Sequence, residues 1–252
     1  MEELDELLLL SGNDIPFPDA RLNVHQPRIK EIALIGEENF HIGSHFLCID
    51  KNKLNNEDKV YSSGQSNFDI FMSVINSKEK VRHKLDGLVV FAMLFPNAKF
   101  ILQKDKILLQ EGDITTEINQ FNFDKFQNIV SQIFCLKDSL GGQQEYNPED
   151  AVAAAIAAKI AKGKSKAKKQ ALAGSNEKIN IYSRCISVMA VGLKKDMNCY
   201  MDYTVYQLRD EYRRFILKNN FDIYVKAKLA GAENLEEVDD WMEDIHSLSN
   251  KN

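Results

Sequence analysis

Residues 100–118 read FILQKDKILLQEGDITTEI, and this stretch decides the fold class because the spacing of apolar residues changes there. Two short apolar runs, 100–102 and 107–109, flank the polar pair 104–105, a pattern typical of a β-hairpin. Residues 114–118 fit a third short strand. Apolar spacing elsewhere is helical, so the sequence predicts an α+β fold that is predominantly α-helical, with a small β-hairpin or meander in its N-terminal domain.

Helical signals dominate before this stretch. An acidic helix is predicted in the first ten residues, followed by an extended segment from Ser11 to Asp19. The next helix is capped by Gln26, has Pro27 at its first position and ends at Gly36, and the chain continues helically from Glu37 to Leu54. After a loop from Asn55 to Asn67, we predict a helix through Phe68 and Ile75 and a longer helix that starts at Ser77 and is closed by Pro96.

The stretch is followed by further helices. Asn122 is a predicted N-cap, and Phe121 with Phe126 fits a hydrophobic staple. A helix from Ile179 to Leu193 is predicted to carry one face formed by Ile181, Cys185, Val188 and Met189. A long helix is predicted from a Thr204–Gln207 capping box to Ala230, with Gly231 as its stop. A last helix from Asn234 to Ser249 is predicted to bury Val238, Trp241, Met242 and Ile245.

Composition divides the chain into three parts. Residues 1–146 form the predicted N-terminal α+β domain, and residues 176–252 form a C-terminal all-helical domain. Residues 147–175 are rich in alanine and lysine. Because alanine favours helix but buries little surface, this segment is predicted to be a connector helix or linker.

Length and charge set limits on the protein's class. The 252 residues carry a formal net charge of −5, which gives no global attraction to nucleic acid or anionic lipid. The longest apolar run, residues 87–96, is about half of what a membrane-spanning helix needs, and the N-terminus is acidic where a signal peptide would be basic. The four cysteines lie far apart in apolar surroundings, which indicates buried free thiols in a reducing compartment. The sequence therefore indicates a cytoplasmic protein without membrane contact.

No residue pattern indicates a catalytic, cofactor-binding or metal-binding site. His41 and His45 are four residues apart, but no further ligands complete a zinc site, so ordinary surface or partly packed histidines are favoured. Residues 163–165 (GKS) resemble the end of a phosphate-binding loop, but Ala158 stands where the first glycine belongs. We therefore expect a non-enzymatic protein that uses no cofactor.

The strongest charge feature is a basic surface formed by Lys159, Lys162, Lys164, Lys166, Lys168 and Lys169. Clustered lysines can bind nucleic acid through counterion release. The run has no aromatic residue for base stacking and no arginine for base readout, so a solvated face or a surface for an acidic partner is favoured.

Several segments resemble a known family of phage proteins. They are residues 24–32 (VHQPRIKEI) with 35–37 (IGE), residues 118–124 (INQFNFD) with 145–148 (EYNP), and the C-terminal set 186–192 (ISVMAVG), 203–208 (YTVYQL), 229–231 (LAG) and 240–246 (DWMEDIH). The chain resembles tailed-bacteriophage proteins that act as tail or baseplate-hub assembly chaperones. The resemblance carries no catalytic residues, and the alanine-lysine segment departs from it.

The resemblance implies a phage morphogenesis protein that binds tail or baseplate components, of tape-measure or hub type, in the host cytoplasm, with possible self-association. The candidate partner-binding residues are Tyr206, Tyr212, Phe215, Trp241 and Met242 in the two C-terminal helices, because aromatic anchors dominate interface energies. Two alternatives stay open at this point. The protein could be a structural component of the virion tail or baseplate, or it could bind nucleic acid through the lysine run.

Overall fold

The computed structural model describes residues 3–51, 64–77, 82–136 and 180–231, together with residue 238 and residues 240–242. Over these residues the protein is predominantly helical and carries two small antiparallel sheets. The predicted α+β fold class is therefore confirmed. The lysine run, the alanine-lysine segment and most of the predicted helix from Asn234 to Ser249 lie outside the described residues.

The helices follow the apolar spacing of the sequence closely. They are α1 (Glu6–Ser11), α2 (Ile29–Ile35), α3 (Glu37–Leu47), α4 (Asn67–Asn76), α5 (Arg82–Leu94), α6 (Phe123–Ile133), α7 (Ile181–Leu193) and α8 (Val205–Leu229). Short 3-10 helices span Pro18–Ala20 and Met197–Asp202. The predicted stops at Gly36 and Gly231 are confirmed, since both residues adopt positive φ angles, 88° and 85°, that favour glycine.

The predicted β-meander is present as β3 (Lys99–Leu102), β4 (Ile107–Glu111) and β5 (Ile114–Ile118), in the order β3-β4-β5. Leu109 pairs with Thr116, and Leu108 pairs with Glu117. Because side chains alternate along a strand, one face buries Ile107, Leu109 and Ile118, and the other face carries Leu108 and Glu117. The buried face joins the core.

A second sheet was not predicted. Strands β1 (Ile15–Phe17) and β2 (Leu22–Val24) pair in antiparallel fashion, where the sequence indicated only an extended segment. Ile15, Phe17, Leu22 and Val24 are buried, and the residue between each pair is exposed. This hairpin places the 3-10 helix Pro18–Ala20 beside β5.

Aromatic rings fill the centre of the core. Phe91 of α5 lies 5.5 Å from Phe100 of β3 and 5.7 Å from Phe126 of α6, measured between ring centroids. Phe126 also contacts Phe17 and Phe95. Edge-to-face and offset contacts of this kind stabilise a core beyond the area that they bury. These ring contacts therefore join the meander, the small hairpin and the helices α5 and α6 in one aromatic cluster.

The C-terminal helices contribute to the same core. Phe40 of α3 lies 4.8 Å from Phe134 and 6.1 Å from Tyr182 of α7, and the Arg209 guanidinium donates a 3.1 Å hydrogen bond to the Cys135 carbonyl. Residues 1–136 and 180–252 belong to one compact unit. The predicted boundaries at 146–147 and 175–176 fall outside the described residues, so the division into three domains stays a prediction.

Several helix starts and ends differ from the prediction. Helix α2 begins at Ile29 with Arg28 as N-cap, whereas the predicted cap, Gln26, is buried and donates a 2.7 Å hydrogen bond to the Asn13 carbonyl. Helix α3 ends at Leu47, because Cys48 leaves the helical conformation, so it does not continue to Leu54. Ser77, which was predicted to start the next helix, is instead the C-cap of α4. Residues 78–81 lie outside the described residues.

The start of α6 also differs in its local contacts. Asn122 is the N-cap, but its side chain accepts from the Asn119 N–H and donates to the Glu117 carbonyl. Phe121 is 82% exposed, so the predicted staple with Phe126 is wrong. The Asn122 side chain thus links the end of β5 to the start of α6.

Burial corrects three further predictions. Cys135 and Cys185 are buried as expected and Cys48 is half-buried, but Cys199 is exposed. Val188 is exposed, so it does not share the buried face of α7. Residues 240–242 form a turn in which the Met242 N–H donates a hydrogen bond to the Asp240 carboxylate, so the predicted last helix does not pass through them. Val238 and Met242, which that helix was predicted to bury, are both exposed.

Candidate partner-binding surface

The start of α8 is fixed by a capping box, as predicted from Thr204 and Gln207. The Thr204 hydroxyl accepts from the Gln207 N–H at 3.3 Å, and the Gln207 side-chain oxygen accepts from the Thr204 N–H at 2.9 Å. The Gln207 amide group also donates a 2.7 Å hydrogen bond to the Leu10 carbonyl at the end of α1. These bonds satisfy the free N–H groups of the first turn and set the direction of the helix.

Within the described part of the chain, the proximal half of α8, residues 205–215, packs against the core. Val205, Tyr206 and Leu208 are buried, and Tyr212 and Phe215 are partly buried against the core. A Cβ atom added to Gly192 of α7 would lie 2.3 Å from Phe215, so the ring rests directly on the α7 backbone. Helix α8 is about 37 Å long at 1.5 Å per residue, and its core contacts use less than half of that length.

The distal half of α8, residues 216–229, contains no buried residue. Ile223 is 65% exposed, Leu229 is 84% exposed, and Ile216 is exposed as well. Ile216 and Ile223 are seven residues apart and therefore lie on the same helix face. We call Ile216, Ile223 and Leu229 the distal apolar residues. The sequence analysis missed them because their spacing alone does not distinguish a solvent-exposed face from a buried one.

Basic side chains surround the distal apolar residues. Residues 216–229 carry three basic side chains, Lys218, Lys226 and Lys228, against a single carboxylate, Asp222, which pairs with Lys218 at 2.6 Å. Lys228 lies 5.2 Å from the centre of the Tyr224 ring. The distal half of α8 is therefore positively charged in a chain whose net charge is −5.

The five candidate partner-binding residues lie in different environments. Tyr206 is a core side chain, and Tyr212 and Phe215 expose only part of their surface. Trp241 is half-buried, and its carbonyl accepts a 3.4 Å hydrogen bond from Arg214, which ties this turn to α8. Met242 is 69% exposed. The contact with Arg214 places Trp241 beside α8. The role of all five residues in binding stays a prediction.

The two histidines of α3 form a close pair. Their ring centroids are 4.2 Å apart, and His45 Nδ1 lies 3.0 Å from the His41 carbonyl. Burial, the charge of His45 and the charge of Arg209 lower the pKa of His41 to about 4, so its imidazole is neutral at pH 7. Among the described residues no group of three or more His, Cys, Asp or Glu side chains could hold a metal ion.

A second polar cluster holds the 3-10 helix Met197–Asp202 against α8. Lys195 donates a short hydrogen bond to Glu211, which raises the pKa of Lys195. The Tyr200 and Tyr203 rings pack edge to face at 5.4 Å, and burial raises the pKa of Tyr200. The ammonium group of Lys195 thus stays protonated, and the cluster fixes the position of α8 relative to α7.

Comparison with known proteins adds a finding about the C-terminal region. Residues 174–246 match the family model of the YomV second domain, a region that includes α7 and α8. No curated protein and no solved structure matches the chain. Among the described residues no helix is long and apolar enough to cross a membrane. YomV is a phage-encoded protein, so the similarity of residues 174–246 indicates a phage-related protein.

Proposed function

We propose that this chain is a non-catalytic phage morphogenesis protein that binds a tail or baseplate component in the host cytoplasm and keeps it soluble until assembly. The proposed clients are helical proteins of the tape-measure or hub type. The observation that carries the proposal is the distal half of α8, a regular helix that extends past the core with three exposed apolar side chains. The resemblance to assembly chaperones and the match to a phage protein domain support it.

The proposed mechanism is packing of an amphipathic client helix against the distal half of α8. An exposed Ile or Leu gains about 1.5–3 kcal/mol when it becomes fully buried, so two or three such residues can supply useful affinity. Arg213 and Lys226 lie one turn away from Ile216 and Ile223 respectively, where they could pair with acidic residues of the client. Such a surface would shield apolar client residues from aggregation.

The direct test is co-expression of the chain with tail proteins of the same phage, followed by pull-down and mass spectrometry. The test variant is Ile223→Asp, and Leu34→Asp is the matched control because Leu34 is an 88% exposed apolar residue on α2. We expect Ile223→Asp to reduce the recovered client at least about tenfold, since an aspartate cannot enter an apolar interface. The control should recover as much client as the wild type, and equal recovery by both variants would refute this surface.

The predicted anchor Trp241 requires a separate variant. Trp241→Ala removes the half-buried indole without adding charge, and it leaves the backbone carbonyl that Arg214 contacts. We expect less soluble client in a co-expression lysate, with little change in the thermal stability of the chain itself. If the amount of soluble client and the melting temperature of the chain both stay unchanged, Trp241 does not belong to the binding surface.

The virion itself distinguishes an assembly factor from a permanent building block. Mass spectrometry of purified virions should find the chain absent or far below stoichiometry if it acts only during assembly. A fixed copy number in the virion would instead identify a structural component of the tail or baseplate.

A further inference from the structure

A cleft of about 320 Å³ lies at the small N-terminal hairpin, remote in sequence from α8. Its lining is formed by Asp19 and Arg21 on one side and by Leu108, Thr115, Thr116 and Glu117 of the meander on the other. Leu108 and Glu117 are paired across β4 and β5 on the face that points away from the core. The cleft therefore joins a charged turn to the outer face of the sheet.

Both carboxylates of the cleft already have basic partners. Asp19 pairs with Lys125 at 2.9 Å, and Glu117 pairs with Lys106 at 2.8 Å. The hydrogen bond from Lys106 lowers the pKa of Glu117, so this carboxylate is charged at pH 7. Among the described residues, two lysines thus offset two carboxylates, and the guanidinium of Arg21 is the remaining charged group that lines the cleft.

The backbone of Arg21 is held in place by its own conformation and by its neighbours. Its φ angle is 52°, in the left-handed region that glycine adopts at lower cost, and its N–H donates a 3.0 Å hydrogen bond to the Pro18 carbonyl. The neighbouring residues Ala20 and Leu22 are buried and anchor the chain on both sides. Within the described part of the chain, the Arg21 guanidinium has no ion pair or hydrogen bond.

We propose that this cleft binds a single carboxylate group through Arg21. The planar guanidinium offers two parallel N–H donors that match the two oxygens of a carboxylate. Thr115, whose hydroxyl can donate a further hydrogen bond, also lines the cleft. Leu108 provides an apolar contact for the methylene groups next to the carboxylate. Asp19 and Glu117 disfavour a doubly charged phosphate more than a singly charged carboxylate.

Two sources can supply this chemistry, an acidic side chain of a partner protein or a small free carboxylate. The test is a titration of the full-length ¹⁵N-labelled protein with a blocked Ala-Glu-Ala tripeptide, with the monocarboxylate butyrate and with phosphate, followed by NMR of the amides of residues 115–117. We expect saturable shifts with at least one carboxylate ligand. Tripeptide binding at least about tenfold tighter than butyrate identifies a protein side chain as the source, and equal or weaker tripeptide binding identifies a small carboxylate.

Arg21→Gln should weaken the carboxylate binding at least about tenfold, the effect of one charge-assisted bidentate contact. Arg184→Gln is the matched control, because Arg184 is an exposed arginine on α7 and does not line the cleft. Arg21→Gly guards against misfolding, because glycine suits the positive φ angle and should leave the melting temperature unchanged or higher. Absence of saturable shifts with both carboxylates, tighter binding of phosphate, or undiminished binding by both Arg21 variants would each overturn the proposal. None of these outcomes depends on α8.

Discussion

A Cβ atom built on Gly43 of α3 would lie 2.4 Å from the carbonyl oxygen of Asp86 in α5, so these two helices touch backbone to backbone. Val90, one turn further along α5, would lie 2.6 Å from the same Cβ atom. A glycine is required here by the close approach, because any side chain would push the helices apart. The pairing of α3 with α5 brings Phe40 and Phe91 into one core.

Gly43→Ala should therefore destabilise the protein. Alanine favours a helix over glycine by about 1 kcal/mol, but overpacking against a fixed carbonyl costs about 1–3 kcal/mol, and we expect a net loss in the free energy of unfolding. Urea denaturation measures it. Gly64→Ala is the control, because no atom lies within 4 Å of a Cβ atom at Gly64, and it should change stability by less than about 0.5 kcal/mol. A more stable Gly43→Ala protein would contradict the close contact.

Glu37 acts as the N-terminal cap of a helix far away in the sequence. Its carboxylate accepts hydrogen bonds from the Tyr182 N–H and from the N–H and hydroxyl of Ser183, whereas the N-cap residue of α7, Asn180, makes no side-chain cap. Loss of a helix cap costs about 0.5–2 kcal/mol, and we expect Glu37→Ala to fall in this range by chemical denaturation. Glu37→Gln keeps one acceptor oxygen and should lose less. Equal losses for both variants would mean that the negative charge, rather than hydrogen bonding, is what matters.

The His41 imidazole predicts a stability change in acid. Its pKa is about 4 in the folded protein, mainly because of burial, and 6.5 in the unfolded chain, so between these values the unfolded chain binds more protons. Stability is then fully present above about pH 6.5 and falls as the pH approaches 4. We expect a steeper fall in melting temperature over this range for the wild type than for His41→Gln. Parallel profiles for the two proteins would refute the lowered pKa.

His45 supplies a second test of the same group. The positive charge of His45 is the second cause of the lowered pKa of His41, after burial. We therefore expect His45→Gln to raise the pKa of His41 towards its ordinary value, as followed by the NMR chemical shift of the His41 ring proton. The change should be partial, because burial and the charge of Arg209 remain. An unchanged titration would show that the close pair of rings has no electrostatic effect.

Gly192 and Phe215 define the point at which α8 leaves the core. Gly192→Ala should destabilise the protein, since the new methyl group meets the Phe215 ring at 2.3 Å, by about 1–3 kcal/mol in thermal or urea unfolding. Combining it with Phe215→Leu frees the space that the methyl group needs, so the double variant should lose less than the two single variants together. Additive losses would indicate that the two residues do not touch.

Local signals explain the parts of the fold that could be predicted from the sequence. The Thr204–Gln207 capping box, the stop at Gly231 and the strands of residues 100–118 each depend on neighbours within about a dozen residues. The short strands β1 and β2 give a weaker signal, because each has three residues and Pro16 interrupts the first. Their pairing depends on burial of Ile15 and Phe17 against distant helices.

Long-range contacts explain what the sequence could not show. Gln26 is a plausible helix cap by pattern, yet its amide is buried against Asn13, and the cap of α7 comes from Glu37. The aromatic residues of α8 were predicted as binding anchors, but Tyr206 faces the core, and the exposed apolar side chains are Ile216, Ile223 and Leu229. The part of a long helix that becomes buried depends on how distant segments of the chain pack against it. The local sequence pattern does not contain this information.

The hydrogen bond between Arg209 and the Cys135 carbonyl has a consequence during translation. Its two partners are 74 residues apart in the sequence. At a translation rate of about 5–20 residues per second, Arg209 is therefore synthesised roughly 4–15 seconds after Cys135. During that interval the nascent chain exposes the apolar surface around Phe134 that α7 and α8 later cover. Ribosome-bound chains that stop short of Arg209 should therefore be more sensitive to proteases than the finished protein.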